Sequence, residues 1–293
     1  MSRTRSLVAA GPGTLVLGAA LVAVAAPAWL LVLRGGSSMS MAEPGAAPSF
    51  AEGARFTGQW GVMMAAMMLP SAAPMILLYR TVSRRLTAEG ERAIPVALFA
   101  AVYLLLWLVT GIPVYGAYVA LASLAARWRS FDAAMPYAIA GVLVAAGAYQ
   151  LTDAKRACLR YCGSPLSFLM WRWRSGYAAT LRLAVEHAGY CIGCCWGLMV
   201  ILVAAGAMSV AWVLAIAVVV FAEKVLPRGW RTARLVGLGL IALGLAVALH
   251  PRLAGTLRAQ VAPMRSGIQR PWKETPVPRT NEVLPEIAAL GAA

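Results

Sequence analysis

The sequence predicts an all-α, polytopic transmembrane helix bundle of about seven helices plus an interfacial amphipathic helix, and three observations carry that expectation. Hydrophobic residues fill 61% of the 293 positions and charged residues 13%, with a mean hydropathy of +0.73, far from the balance of a water-soluble domain. Apolar runs of about twenty residues, the length that crosses a hydrocarbon core, recur along most of the chain. The Lys and Arg residues fall mostly between those runs. A β-barrel would instead show ten-residue segments of alternating polarity, which are absent from the sequence.

The formal net charge of +15 would point to nucleic acid in a soluble protein. Here it reads as a topology signal and as contact with lipid headgroups, and no nucleic-acid-binding motif stands beside it. The expected organisation is an N-terminal helix and loop over 1–56, a membrane bundle over 57–250, and a basic, disordered tail over 251–293.

Taken in order, Ser2 to Gly13 is a short basic start and Thr14 to Leu33 a first span. The apolar run passes Ala26 and Pro27 without a small-residue cleavage site, so an uncleaved helix is expected. Arg34 to Phe56 is a Gly, Ser and Pro-rich loop holding Met39 and Met41. The second helix, Thr57 to Tyr79, contains QWGVMMAAMMLPSAAPM. Met63 with Met67, and Met64 with Met68, are i, i+4 pairs, so thioethers cover one side. Such methionines either fill gaps in a core or offer soft ligands to a metal. Pro70 and Pro74 remove backbone donors and predict a kink or unwound turn, with Ser71 placed to satisfy a freed carbonyl.

Arg80 to Arg92 is read as a charged loop, and a third helix follows over Pro95 to Leu121 with Pro113 as a bend. After a connection from Ala122 to Pro136, the fourth helix, Tyr137 to Leu151, runs into AYQLTDAKRACLRYC. Cys158 and Cys162 lie four apart, which aligns both thiols on a helix. The stretch between Gly163 and Glu186 is too charged to span, and Phe168 to Trp173 beside Arg172 and Arg174 reads as the interfacial helix. The fifth helix is expected over His187 to Met208, the sixth over Val210 to Leu226 and the seventh over Arg234 to Leu249. Glu223 and Lys224, near the end of the sixth, are either functional groups at membrane depth or a solvated pair at a helix end.

Basic residues decide the orientation. With the N-terminus inside, the inner segments hold Arg3 and Arg5, then Arg80, Arg84, Arg85 and Arg92, then the run from Lys155 to Arg182, then Lys224 to Arg234. The outer loops hold Arg34, Arg55, Arg127 and Arg129. The bias predicts a multi-pass membrane protein with a cytoplasmic N-terminus and the basic tail outside.

All five cysteines fall in one short part of the chain, which random core packing would not produce. HAGYCIGCCWGLM, from His187 to Met199, is the most informative segment. On a helix, His187, Cys191, Cys194 and Cys195 share an arc of roughly a quarter to a third of a turn. Imidazole and thiolate are the ligands of soft or borderline ions, copper as Cu(I) first and zinc second. His187, Cys191 and Cys194 are the primary candidate ligands, with Cys195, Cys158 and Cys162 secondary and Met63, Met64, Met67 and Met68 as thioether donors. On the predicted topology these donors are distributed along the membrane normal, as a metal relay needs. Affinity for such an ion is expected to fall in acid, because the thiols must lose their protons.

These blocks resemble a family of bacterial integral membrane proteins described as predicted metal-binding, domain of unknown function 2182. The resemblance rests on WGVMMAAMMLPSAAPM from Trp60, AGAYQLTDAKRACLRYC from Ala146, HAGYCIGCCWGLM from His187 and EKVLPRG from Glu223, covering roughly residues 57 to 245. It implies a multi-helix membrane protein with a metal site and brings no settled activity.

The expected function is soft-metal handling or transfer, with the lipid bilayer, a metal ion and a membrane or metallochaperone protein as partners. No ATP-binding loop is present, so any transport is passive, ion-coupled or dependent on a partner. A second reading is a thiol-disulfide enzyme using Cys191 and Cys194 at a helix N-terminus, where the dipole lowers a thiol pKa. A third is a membrane assembly partner whose thiols only pack. No constellation of nucleophile, base and acid appears, and His250 sits alone at a helix end.

Overall fold

The computed structural model describes residues 12–35, 49–86, 96–128, 131–174, 176–204 and 210–254. Among them the elements are all α-helices: α1 (Pro12–Gly35), α2 (Phe50–Leu86), α3 (Val96–Val109), α4 (Gly111–Arg127), α5 (Phe131–Gln150), α6 (Asp153–Gly163), α7 (Pro165–Arg172), α8 (Tyr177–Ala204), α9 (Val210–Val225) and α10 (Gly229–Leu249). Met39, Met41 and the tail beyond residue 254 lie outside the described residues.

Among the described residues, six helices are long and apolar enough to cross a membrane: α1, α2, the α3–α4 pair taken together, α5, α8 and α10. The expected sixth crossing, α9, has 16 residues. It rises about 24 Å against a hydrocarbon thickness of about 30 Å.

α2 is much longer than the predicted Thr57–Tyr79. Its start is fixed by a capping box: Ser49 N donates to Glu52 Oε2 at 3.1 Å, and Glu52 N donates to Ser49 Oγ at 3.2 Å. The Ser-x-x-Glu spelling was present in the sequence, inside the segment read as loop. At the other end, Arg80 and Arg84 ride on the helix rather than in a loop. Helix also continues through Pro70 and Pro74 without an unwound turn, and Ser71 Oγ donates to Met68 O at 2.9 Å. Near Pro113, where a bend is expected, a turn at Thr110 separates α3 from α4, with its backbone still in the helical region at φ −61° and ψ −19°. Pro113 cannot donate to the carbonyl of Val109, which weakens the ladder at that point.

A larger correction concerns the stretch before His187. Its first part is the eight-residue α7, which buries Phe168 and Leu169 and leaves Met170 and Trp171 exposed. From Tyr177 onward, however, it belongs to α8 and not to an interfacial helix. The charges that argued against spanning pair with one another instead. Arg182 Nε donates to Glu186 Oε1 at 3.0 Å one turn on, and Arg172 donates to Glu186 Oε2.

α2 and α8 form the middle of the bundle; 61% and 56% of their apolar windows are buried, against a third or less in the other spans. α3 crosses both with Phe99, Tyr103 and Trp107, an i, i+4, i+8 stripe that is fully buried. On the far side α5 and α10 approach closely along Gly147, Gly237 and Gly244. A methyl group on Gly147 would meet Gly237 O at 2.6 Å, and one on Gly244 would meet Ala140 O at 2.9 Å. Small residues let backbones touch where lipid gives no hydrophobic drive.

Candidate metal centre

α8 buries His187, Cys191, Cys194 and Cys195 together, as the helical arc predicts. Cys194 Sγ lies 3.3 Å from Cys195 Sγ and donates to Cys191 O at 3.1 Å. The fold then adds a thiol from a different helix. α6, capped by Thr152 Oγ1 accepting from Lys155 N, carries Cys162 to 3.8 Å from Cys194 Sγ. Cys158, one turn earlier on α6, packs its sulfur over Gly193 instead. Burial pushes the Cys158 thiol up from its usual range.

His187 is boxed by aromatic rings, with Tyr103 at 5.6 Å, Phe168 at 5.8 Å and Phe99 at 5.9 Å between centroids. Along with Cys162 and Lys224 it lines a cavity of about 160 Å³, closed on the α2 side by Ser71, Ala72, Pro74 and Met75.

Sequence reasoning placed Lys224 at a helix end and left open whether it was solvated. It is buried, and its Nζ donates to Cys191 Sγ at 2.9 Å and to Ser71 Oγ at 3.2 Å, with Met68 Sδ at 4.0 Å. Tyr103 OH approaches the same Cys191 sulfur at 3.1 Å. A signal for Lys224 existed: Val213, Ile216 and Val220 form a buried stripe on α9, and Lys224 is its next member at i+4. Tyr103 likewise sits in the α3 stripe.

Glu223 points the other way. It pairs with Lys155 at 2.6 Å rather than with Lys224, and Gln150 Nε2 donates to its other oxygen at 3.0 Å. Lys155 also donates to Cys194 O, which ties this buried network to the thiol helix. Burial opposes the Lys155 charge, but the Glu223 carboxylate beside it holds the ammonium above the usual lysine value.

Met63, Met64, Met67 and Met68 are all buried. Met64, Met68 and Met75 share one face, and Met68 is the member that reaches the Lys224 ammonium. Through Met68 the methionine stripe thus reaches the Lys224 ammonium that also meets Cys191 on α8. Among the described residues, no group of three or more His, Cys, Asp or Glu side chains is already arranged to hold a metal ion. The Cys191 sulfur is turned to Lys224 and Tyr103, while the Cys194 sulfur is turned to Cys162 and Cys195.

Residues 57–247 match the model of a protein family described as PpoB2, copper chaperone. No curated protein and no solved structure gives a match. The match carries a different name from domain of unknown function 2182, shares its metal-related character, and names copper, not zinc. It runs from early α2 almost to the end of α10 and takes in every helix that contributes to the thiol cluster, so the chain belongs to the PpoB2 copper-chaperone family.

Proposed function

We propose that this protein binds Cu(I) inside the membrane and hands it on, with Cys191, Cys194 and Cys162 as the core ligands, Cys195 as an alternative thiolate, and His187 and Met68 as flanking donors. The observation that carries the proposal is the meeting of α6 and α8 thiols in one buried place, Cys162 Sγ and Cys194 Sγ being 3.8 Å apart. Metal–thiolate bonds of about 2.3 Å set the sulfurs of a shared ion about 4 Å apart, so this pair needs little movement to close on an ion. Soft thiolate and thioether donors select Cu(I). Cys158 is left outside the ligand set because its sulfur faces Gly193.

The thiol-disulfide alternative loses the helix N-terminus it invoked. Cys191 lies about four turns inside α8, whose helix begins at Tyr177, so the N-terminal dipole invoked for that chemistry is not beside it.

The test is elemental analysis of detergent-purified protein beside the Cys191→Ser/Cys194→Ser variant, with free thiols counted on the same samples. About one equivalent of copper in the wild type and none in the variant is the expected result. Metal-free protein that cannot be loaded with Cu(I) under reducing conditions would overturn the proposal.

A further inference from the structure

The Lys224 ammonium occupies a place built for a cation. Its three N–H groups are met by the Cys191 sulfur at 2.9 Å, the Ser71 hydroxyl at 3.2 Å and the Met68 thioether at 4.0 Å. A lysine has three donors and no acceptor, and two of these three partners are soft sulfur atoms from the two motifs singled out as metal donors. Cys191 also faces the Tyr103 hydroxyl, so its sulfur has the surroundings of an anion. An ammonium buried at this depth is costly unless paired, and the pairing shown here serves both partners.

From this arrangement we infer that Lys224 is a tethered substitute for the metal: it fills the Cys191–Met68 position when copper is absent and withdraws when Cu(I) enters. The inference rests on the copper reading above and adds the control of loading. Charge balances in the exchange. At the Cys191 sulfur one unit of positive charge leaves and one arrives; an N–H···S hydrogen bond is replaced by an S–Cu(I) bond, the amine keeps its protons, the thiol protons of Cys194 and Cys162 pass to water as those sulfurs bind, and no electron moves. The cavity of about 160 Å³ that Lys224 itself lines, with Cys162 and His187, gives the displaced side chain somewhere to go. Lys224 therefore sets how tightly the centre holds its ion, since every Cu(I) bound must first displace this internal competitor.

The experiment uses full-length wild-type protein in detergent, metal-free and loaded with Cu(I), treated with an amine-acylating reagent and mapped by mass spectrometry. Lys224 is expected to gain acylation several-fold on loading, with buried Lys155 as the unresponsive reference; equal labelling of Lys224 in both states overturns the inference. Alongside it, Lys224→Leu, which removes the ammonium without adding a soft donor, is titrated against a chromophoric Cu(I) chelator. Removal of the competitor is expected to tighten Cu(I) binding at least tenfold with unchanged stoichiometry. Weaker binding at unchanged stoichiometry overturns the inference and makes Lys224 a permanent counter-ion, leaving the copper reading intact. A wild type that takes up no Cu(I) removes the copper reading itself.

Discussion

The α2–α8 contact and the α5–α10 contact solve the same problem, joining two helices where water is absent, by opposite means. α5 and α10 do it with nothing: Gly147, Gly237 and Gly244 let backbone meet backbone. α2 and α8, whose backbones do not pack closely against each other, do it through side chains, bringing Met68, Ser71 and Cys191 around an ammonium from α9. Glycine contacts are tight and inert, whereas the sulfur-lined contact leaves a cavity and polar groups whose partners can be exchanged. That difference separates the part of the bundle that holds it together from the part proposed to bind copper.

The comparison is open to attack from both sides. The largest effect is expected at the centre: Cys191→Ser/Cys194→Ser takes copper from about one equivalent to none, and lowers the unfolding temperature in detergent as well, because Lys224 stays buried without the Cys191 sulfur. Next comes the ion pair that fixes α6 and α9 beside the thiols. Lys155→Met leaves Glu223 buried without its cation and is expected to cost about 3–5 kcal/mol, read as a lower unfolding temperature, with Lys155→Met/Glu223→Leu recovering much of the loss. On the inert side, Gly237→Val drives a side chain into Gly147 O and Gln150 and is expected to destabilise by about 1–3 kcal/mol, with copper per folded molecule unchanged. If that variant instead lost its metal at normal stability, the division between the two contacts would fail. The smallest effect belongs to Arg182→Ala, whose ion pair with Glu186 is at the surface. A change within about 0.5 kcal/mol and intact copper binding are expected there.

Legibility in the sequence followed the range of the interaction. Spans showed as apolar runs, and the His187, Cys191, Cys194 and Cys195 cluster showed as helical spacing, because both depend on residues within a few turns of each other. Even the misplaced boundaries had local causes. The start of α2 was written in Ser49 and Glu52, and the early start of α8 is made acceptable by Arg182 pairing with Glu186. Starting the fifth helix at His187 was too late because paired charges near a helix end cost far less than isolated ones at a span's centre.

What the sequence determined alone, then, was an α-helical membrane protein with soft donors phased onto two helices; periodicity and composition carry that much. Only the tertiary structure decided which donors meet. It chose Cys162 over Cys158 as the partner of Cys194, joined Met68 to the Cys191 neighbourhood, gave Glu223 to Lys155, and put Lys224 against the sulfur. Each of these contacts links residues tens of positions apart on different helices. Helical phase says which way a side chain faces on its own helix; the identity of what it faces depends on how the helices pack.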